Sequence, residues 1–371
     1  MEAAEAMKRG VQSVLPTATV VCLPVADGGE GTADALVSAL HGTRRRVLAH
    51  DPLGNMIEAE YGILPDGTAV IDTAAASGLA LLKKEKGAAL HASSYGTGEL
   101  LADAIQNGAK KVILGLGGSA TTDGGAGLAQ ALGVRLMDAD GKDIGRGGAA
   151  LADIRTIDDS AVLKKAKKCK IIVACDVKNP LCGAMGAAAV YGPQKGASKQ
   201  DVEVLDAALK HYGVLLHQQK NSAVAQVEGS GAAGGMLCSL MPFFDVEICS
   251  GIQMIMDVLH FDTYAMAADL ILTGEGRVDG QSAFGKVPAG VARRVKKIKN
   301  IPVVVVAGAI GNNADTLYDI GVDGIASAIS SIETLENAMT NATTNIEAAA
   351  ARTLRILLAG ARLKTGLGGC E

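Results

Sequence analysis

The segment through Val14 carries apolar and charged positions at helical spacing and predicts an amphipathic helix. The run ATVVCL, 18–23, is short and apolar, ends at Pro24 and predicts a buried strand leading into VADGGEGT. A helix is expected from about Glu30 to Leu40. Beyond the basic run Arg44, Arg45, Arg46 the period falls to two. RRVLAHD, MIEAEYGIL and TAVIDTA read as short strands separated by PLGN and PDG turns, a mostly antiparallel stretch. A helix from about Gly96 to Gln106 is stopped by Gly108. KKVILGL and CKIIVACD read as strands, each followed by a glycine-rich loop. Helical patterns cover Lys199 to Gln219 and recur around Gly234 to Leu240. In the last third ADLILTG, IPVVVVAG and DGIASAI read as strands, while VPAGVARRVKKIK, ADTLYDIG and a long closing segment read as helices.

Strands and helices alternating in this way predict an α/β fold with a parallel sheet covered on both faces. The two ends of the chain share this character. The expected architecture is a Rossmann-like parallel-sheet domain formed from both chain ends, 1–45 plus 245–371, with a second α/β domain, 46–244, inserted between them.

Composition removes several function classes. Lys+Arg is 35 against 39 Asp+Glu, so the basic excess of a dedicated nucleic-acid binder is missing. With no Trp, four Phe and six Tyr, base-stacking platforms are not expected. No apolar run approaches 18 residues, which excludes a membrane-spanning helix, and MEAAEAMKRG lacks the apolar stretch of a signal peptide. The seven cysteines are widely spaced with no C-x-x-C, as for reduced thiols in a cytoplasmic protein. No H-E-x-x-H or G-x-S-x-G occurs. The basic runs Lys164–Lys168 and Arg293–Lys299 read as solvated helix faces. What stands out is glycine: 47 in 371 residues, about 13% against a usual ~7%, gathered in clusters.

Five clusters carry candidate chemistry. GQSAFGK, 280–286, matches the phosphate-cradling G-x-x-x-x-G-K, although Val287 lacks the hydroxyl that would ligate Mg²⁺ and GEGRVD separates the motif from its strand. Pro288 in the following helix's first turn and the Lys286 ammonium favour an anion there. In GLGGSATTDGGAG, Gly115, Gly117 and Ala120 fit the dinucleotide fingerprint G-x-G-x-x-A, with Asp138 or Asp140 where a ribose-binding acid would sit. The same residues suit an anion nest of backbone amides with the Ser119, Thr121 and Thr122 hydroxyls, or a plain strand-to-helix turn. In ADGGEGT, Asp27 and Glu30 suit a magnesium ion. TGEGRVDG sets Glu275, Arg277 and Asp279 among small residues, as polar ligand contacts would be. In ACDVKNPLCG, Asp176 at a strand end suits a catalytic base or an Asx turn, with Asn179 close by.

Taken in order, PVADGGEGT, SSYGTGELL, GLGGSATTDGGAG, ACDVKNPLCG with GAAAVYGPQKGA, GSGAAGGM and TGEGRVDGQSAFGKVP resemble the bacterial-type glycerate kinases, from about Glu2 to Leu363. The resemblance implies an active site between the two domains, Mg-ATP as donor and D-glycerate as acceptor, usually yielding 2-phosphoglycerate. No nucleic-acid or membrane partner is implied, and a homo-oligomer is compatible. One departure stands against it. Members normally begin with a further strand and a loop of the type APDSFKGSLSA, whereas this sequence starts at the helix that would follow. Unsatisfied buried backbone groups cost about 1–3 kcal/mol each, against a total stability of about 5–15 kcal/mol. The expectation is therefore a late-called start or a truncation, and a chain unstable or inactive as written.

Phosphoryl transfer asks for positioning and charge stabilisation more than covalent chemistry. On that basis Gly117, Gly118, Ser119, Thr121, Asp123 and Gly285 are expected to bind ATP. Asp27, Glu275 and Asp279 are expected to hold Mg²⁺. Asp176 is the expected proton acceptor, and Lys286 or Arg277 offsets charge on the transferring group; Arg277 alternatively clamps the substrate carboxylate. The competing readings are an NAD(P)-dependent oxidoreductase, resting on the fingerprint, and an inactive remnant that binds small anions.

Overall fold

The computed structural model describes residues 1–25, 31–82, 87–283 and 286–363. The chain divides into two compact units, Gly28–Met254 and a unit made of Met1–Asp27 with Ile255–Glu371. Asp27 and Gly285, two of the expected site residues, lie outside the described residues.

The unit Gly28–Met254 is built on strands β1 (Thr43–His50), β2 (Met56–Ile63), β3 (Ala69–Asp72), β4 (Lys111–Gly115), β5 (Arg135–Met137), β6 (Thr156–Asp158), β7 (Lys170–Ala174) and β8 (Asp245–Cys249). Six of them form one sheet in the order β1-β2-β3-β4-β7-β8; β5 and β6 pair separately. β1 pairs antiparallel with β2 and β2 with β3, as the mostly antiparallel reading of this stretch predicts, while β3, β4, β7 and β8 run parallel. Val112, Ile113 and Leu114 of β4 and Ile171, Ile172 and Val173 of β7 are buried, as central parallel strands covered on both faces require. β8 belongs to this sheet through its register with β7, from Lys170↔Asp245 to Ala174↔Cys249. The helix Thr32–Leu40 belongs here too, with Leu36 and Val37 buried. The unit therefore begins before residue 46 and ends after residue 244.

Helix Tyr95–Gln106 lies against β1, and its register is fixed by Gly96. A Cβ at that position would stand 1.9 Å from the His50 carbonyl oxygen. The contact is sealed by Asp103, which accepts from Arg45 Nε at 2.6 Å and from Tyr61 OH at 2.8 Å. Helix Lys199–Lys220 starts on a reciprocal cap, Ser198 Oγ accepting from Asp201 N while Asp201 accepts from Ser198 N.

The other unit holds β9 (Ile271–Val278), β10 (Val303–Ile310) and β11 (Gly324–Ser327), all parallel in the order β11-β10-β9. Helices Val287–Ile298 and Ala342–Leu363 both contact β10. Helix Glu2–Val14 packs on helix Ala342–Leu363 so closely at Gly10 that a Cβ there would meet the Glu347 carbonyl oxygen at 2.2 Å; Arg9 adds a 2.7 Å ion pair to Glu347. Met7, Val306, Ala328, Ala349 and Ala350 share one apolar cluster.

Three predicted elements differ. Residues 18–23 form no strand: they alternate between exposed and half-buried positions, and no described strand pairs with them. An apolar run becomes a strand only where a neighbour takes up its N–H and C=O groups. ADTLYDIG forms a 3₁₀ segment, Ala314–Ile320, closed by Gly321 at φ 101°. The third difference is β9, which does not stop at Thr273. It continues through TGEGRV because β10 offers a matching length, pairing Glu275 with Ala307 and Arg277 with Ala309. The separation between GQSAFGK and its strand therefore shrinks to Asp279 alone.

Gly96→Ala should destabilise the protein by about 3 kcal/mol, the upper end for overpacking, since the obstacle is backbone. Gly360→Ala, in a helix with nothing within 4 Å of the new Cβ, should stabilise by about 0.5–1 kcal/mol. Urea midpoints of the two variants check both; equal shifts would contradict the packing described.

Candidate functional site

The glycine loop after β4, Leu116–Gly125, lies beyond the carboxyl end of a central parallel strand, where ligands of open α/β sheets bind. Its first half is held by Leu79 N donating to Gly118 O at 2.8 Å and Ala120 N donating to Ser77 O at 2.9 Å. Gly117 is half-buried, Gly118 exposed and Ser119 buried. Among the described residues, the amides of Gly117, Gly118 and Ser119 donate to no protein acceptor. A run of amides left this way suits an oxyanion.

The second half turns through Gly124 and Gly125, both left-handed at φ 62° and 73°. This is a conformation that residues with a Cβ avoid. Asp123 makes the turn rigid. Its carboxylate is fully enclosed and accepts from Ser94 N and Ser94 Oγ, both at 2.8 Å, from Gly125 N at 3.1 Å and from Gly127 N at 3.3 Å. The donors come from the first turns of helices Tyr95–Gln106 and Ala126–Ala131 and the residues just before them, where a negative charge is favoured. Burial pushes the Asp123 carboxyl up from its usual range, and these hydrogen bonds work against that rise. Asp123, one of the expected nucleotide contacts, thus braces the loop from inside through four protein donors.

Thr121 and Thr122 are also enclosed, and their hydroxyls have no hydrogen-bond partner among the described residues. Such groups cost about 1–3 kcal/mol each when left unpaired. Beside them lies Lys195, only 3% exposed. Its ammonium donates to Thr121 O at 2.6 Å and Ser119 Oγ at 3.2 Å. Desolvation lowers its pKa from the ordinary 10.5 to about 8, partly countered by the Asp123 charge. Lys195 escaped the sequence reading because nothing about GPQKGA distinguishes an enclosed lysine from a solvated one.

Asp176 follows β7 and is exposed, with one carboxylate oxygen accepting from Gly251 N at 3.0 Å at the start of helix Gly251–Val258. The carboxylate is thereby aimed by a helix N-terminus. Asn179 is held by its own bonds to Met185 O and Tyr191 OH. A second missed residue is Asp72 at the end of β3. It accepts from Gly31 N at 2.9 Å and lines a hollow of about 320 Å³ with Asp34, Arg44 and Glu60.

In the other unit, Arg277 and Asp279 line an open hollow of about 500 Å³ with Gly280, Asn312, Asn313 and Thr316, at the carboxyl ends of β9 and β10. The two side chains are 3.5 Å apart. Lys286 occupies the position just before helix Val287–Ile298, whose second residue is Pro288. Because β9 is extended, Glu275 and Asp279 are roughly 13 Å apart along the chain, so they do not form a compact carboxylate pair. Among the described residues no group of three potential metal ligands occurs. A single hard carboxylate such as Asp279 still suits Mg²⁺, which takes most of its remaining ligands from phosphates and water.

The dinucleotide fingerprint lacks its context. The helix that should begin at once after β4 starts only at Ala126. Asp138 is spent on its own turn, accepting from Asp140 N and Lys142 N.

The model of the glycerate kinase family matches residues 1–358. The chain belongs to the glycerate kinase family. It is 44% identical over 346 residues to the glycerate 2-kinase of Escherichia coli K12, covering 93% of this chain and 91% of that protein. It is 43% identical over 351 residues to a glycerate kinase of Halalkalibacterium halodurans, covering 94% and 92%. A crystal structure from Salmonella typhimurium LT2, assigned as a glycerate kinase 2, superposes with a TM-score of 0.87 at 43% identity, over 98% of this chain and 95% of that one. Membership of the glycerate kinase family makes the chain an α/β enzyme. Among the described residues no helix is long and apolar enough to cross a membrane.

The depressed Lys195 pKa has a stability consequence. Below pH 8 folded and unfolded chains both hold the proton, so the full burial cost is present. Between 8 and 10.5 the folded chain loses it first, and stability rises with pH. Wild type should therefore gain up to about 3 kcal/mol relative to Lys195→Met across that window. Urea titrations at pH 7.5 and 10 test this; a constant difference would show that Lys195 is not desolvated.

Proposed function

We propose that this chain transfers the γ-phosphoryl group of ATP to the 2-hydroxyl of D-glycerate, giving 2-phosphoglycerate and ADP. The observation carrying the reading is the loop after β4, whose Gly117, Gly118 and Ser119 amides are available to a polyphosphate. The name of the Escherichia coli relative supports the 2-position.

In this reading Asp176 accepts the glycerate hydroxyl proton while that oxygen attacks the γ-phosphorus and the bond to ADP breaks. Its carboxylate is already oriented by Gly251 N, so little reorganisation precedes transfer. Arg277, exposed and beside Asp279, offsets charge on the phosphoryl group or clamps the glycerate carboxylate, and Lys286 adds a second cation. Bound Mg²⁺ would neutralise phosphate charge, with Asp279 as its carboxylate and Glu275 and Asp27 as further candidates.

Incubation with Mg-ATP and D-glycerate should release ADP, and the product should feed enolase without a mutase, as 2-phosphoglycerate does. Product requiring a mutase would move the phosphate to the 3-position. Absence of ADP, or a thermal shift with NAD(P) and none with Mg-ATP, would overturn the kinase reading. Asp176→Asn keeps an acceptor for Gly251 N. It should lower kcat by about 10²–10⁴-fold with little change in the glycerate KM; an unchanged kcat removes Asp176 from proton transfer.

A further inference from the structure

Three unusual features meet in one turn. Lys195 is a cation inside the protein, held against Ser119 and Thr121. Thr121 and Thr122 carry enclosed hydroxyls without a hydrogen-bond partner among the described residues. The amides just ahead of them, Gly117 to Ser119, have no protein acceptor among the described residues. Ordinary loop architecture needs none of these, and together they are the chemistry of a site for anionic oxygen.

The direction of one hydrogen bond says how the lysine takes part. An ammonium only donates, so Ser119 Oγ must accept from Lys195. The Ser119 hydroxyl is thereby left to donate its own hydrogen elsewhere. Leu79 N and Ala120 N hold the loop's flanks to the 77–79 segment, and Lys195 ties down the span between. Gly118 remains exposed on the outer side of that span.

We propose that Lys195 is a positioning residue for the nucleotide: from inside the protein it fixes the Ser119 loop and sets the Ser119 hydroxyl as a donor to a phosphate oxygen of ATP. This rests on the kinase reading for the identity of the anion, but not on turnover. The Asp123 charge works against the fall in the Lys195 pKa that burial causes, while the loop's amides and the Ser119 hydroxyl, not the lysine itself, meet the phosphate.

The test is direct ATP binding by calorimetry on the full chain, with no glycerate present, for wild type, Lys195→Met, Lys195→Arg, Ser119→Ala and the Lys195→Met/Ser119→Ala double variant. Lys195→Met should weaken ATP at least tenfold and Ser119→Ala severalfold. The double variant should be no weaker than Lys195→Met alone, because the lysine acts through the serine. Lys195→Arg should recover part of the loss. In steady-state assays the ATP KM should rise while the glycerate KM stays within twofold. Multiplying effects in the double variant, or unchanged ATP affinity in folded Lys195→Met, would overturn the proposal. So would a loss confined to glycerate. If Lys195→Met fails to fold, Ser119→Ala still decides: unchanged ATP affinity there refutes it. A wild type that binds ATP but never phosphorylates glycerate would refute the kinase reading alone, whereas a wild type that does not bind ATP refutes both.

Discussion

A buried cation and a buried anion hold the two halves of one glycine loop. Lys195 grips the first half through Ser119 and Thr121. Asp123 gathers four donors around the second. Enclosing either charge is costly, and the Asp123 charge offsets part of that cost for Lys195. The arrangement gives a loop that is rigid although rich in glycine. Rigidity matters because a backbone cradle stabilises charge only where its amides already point the right way.

The sheet serves this loop. β3, β4 and β7 run parallel with Asp72, Gly115 and Ala174 in neighbouring register, so the segments leaving them emerge on one rim. The helices beneath are drawn close by small residues, as Gly96 shows against β1. In the other unit the same principle places Arg277 and Asp279 at the carboxyl ends of β9 and β10. Alternation along β9 sends Glu275 and Arg277 to one face, a geometry hidden while TGEGRVDG is taken for a turn.

Much of this was legible in the residues. Runs such as KVILG and KIIVA, bounded by glycine loops, read as buried strands, and the alternation in MIEAEYGI reads as a half-buried one. The order of glycine loops carried the family. What stayed hidden depended on neighbours distant in sequence. Residues 18–23 have the composition of a strand, but pairing is not written in composition. The length of β9 was set by β10, thirty residues on. Lys195 and Asp72 look like any surface charge until the fold encloses them. Asp123 stands out in TTDGG, but the bracing role it takes depends on Ser94, nearly thirty residues earlier.

The packing of helix Glu2–Val14 against helix Ala342–Leu363 also bears on biosynthesis. The first helix leaves the ribosome more than three hundred residues before its partner exists. At about 5–20 residues per second, that interval is on the order of 15–70 s. The unit Gly28–Met254 is compact in itself and is synthesised meanwhile, but the buried positions of the first helix, Ala6 and Met7, wait for the last helix. A nascent chain of this design presents a natural client surface to chaperones until its last helix arrives.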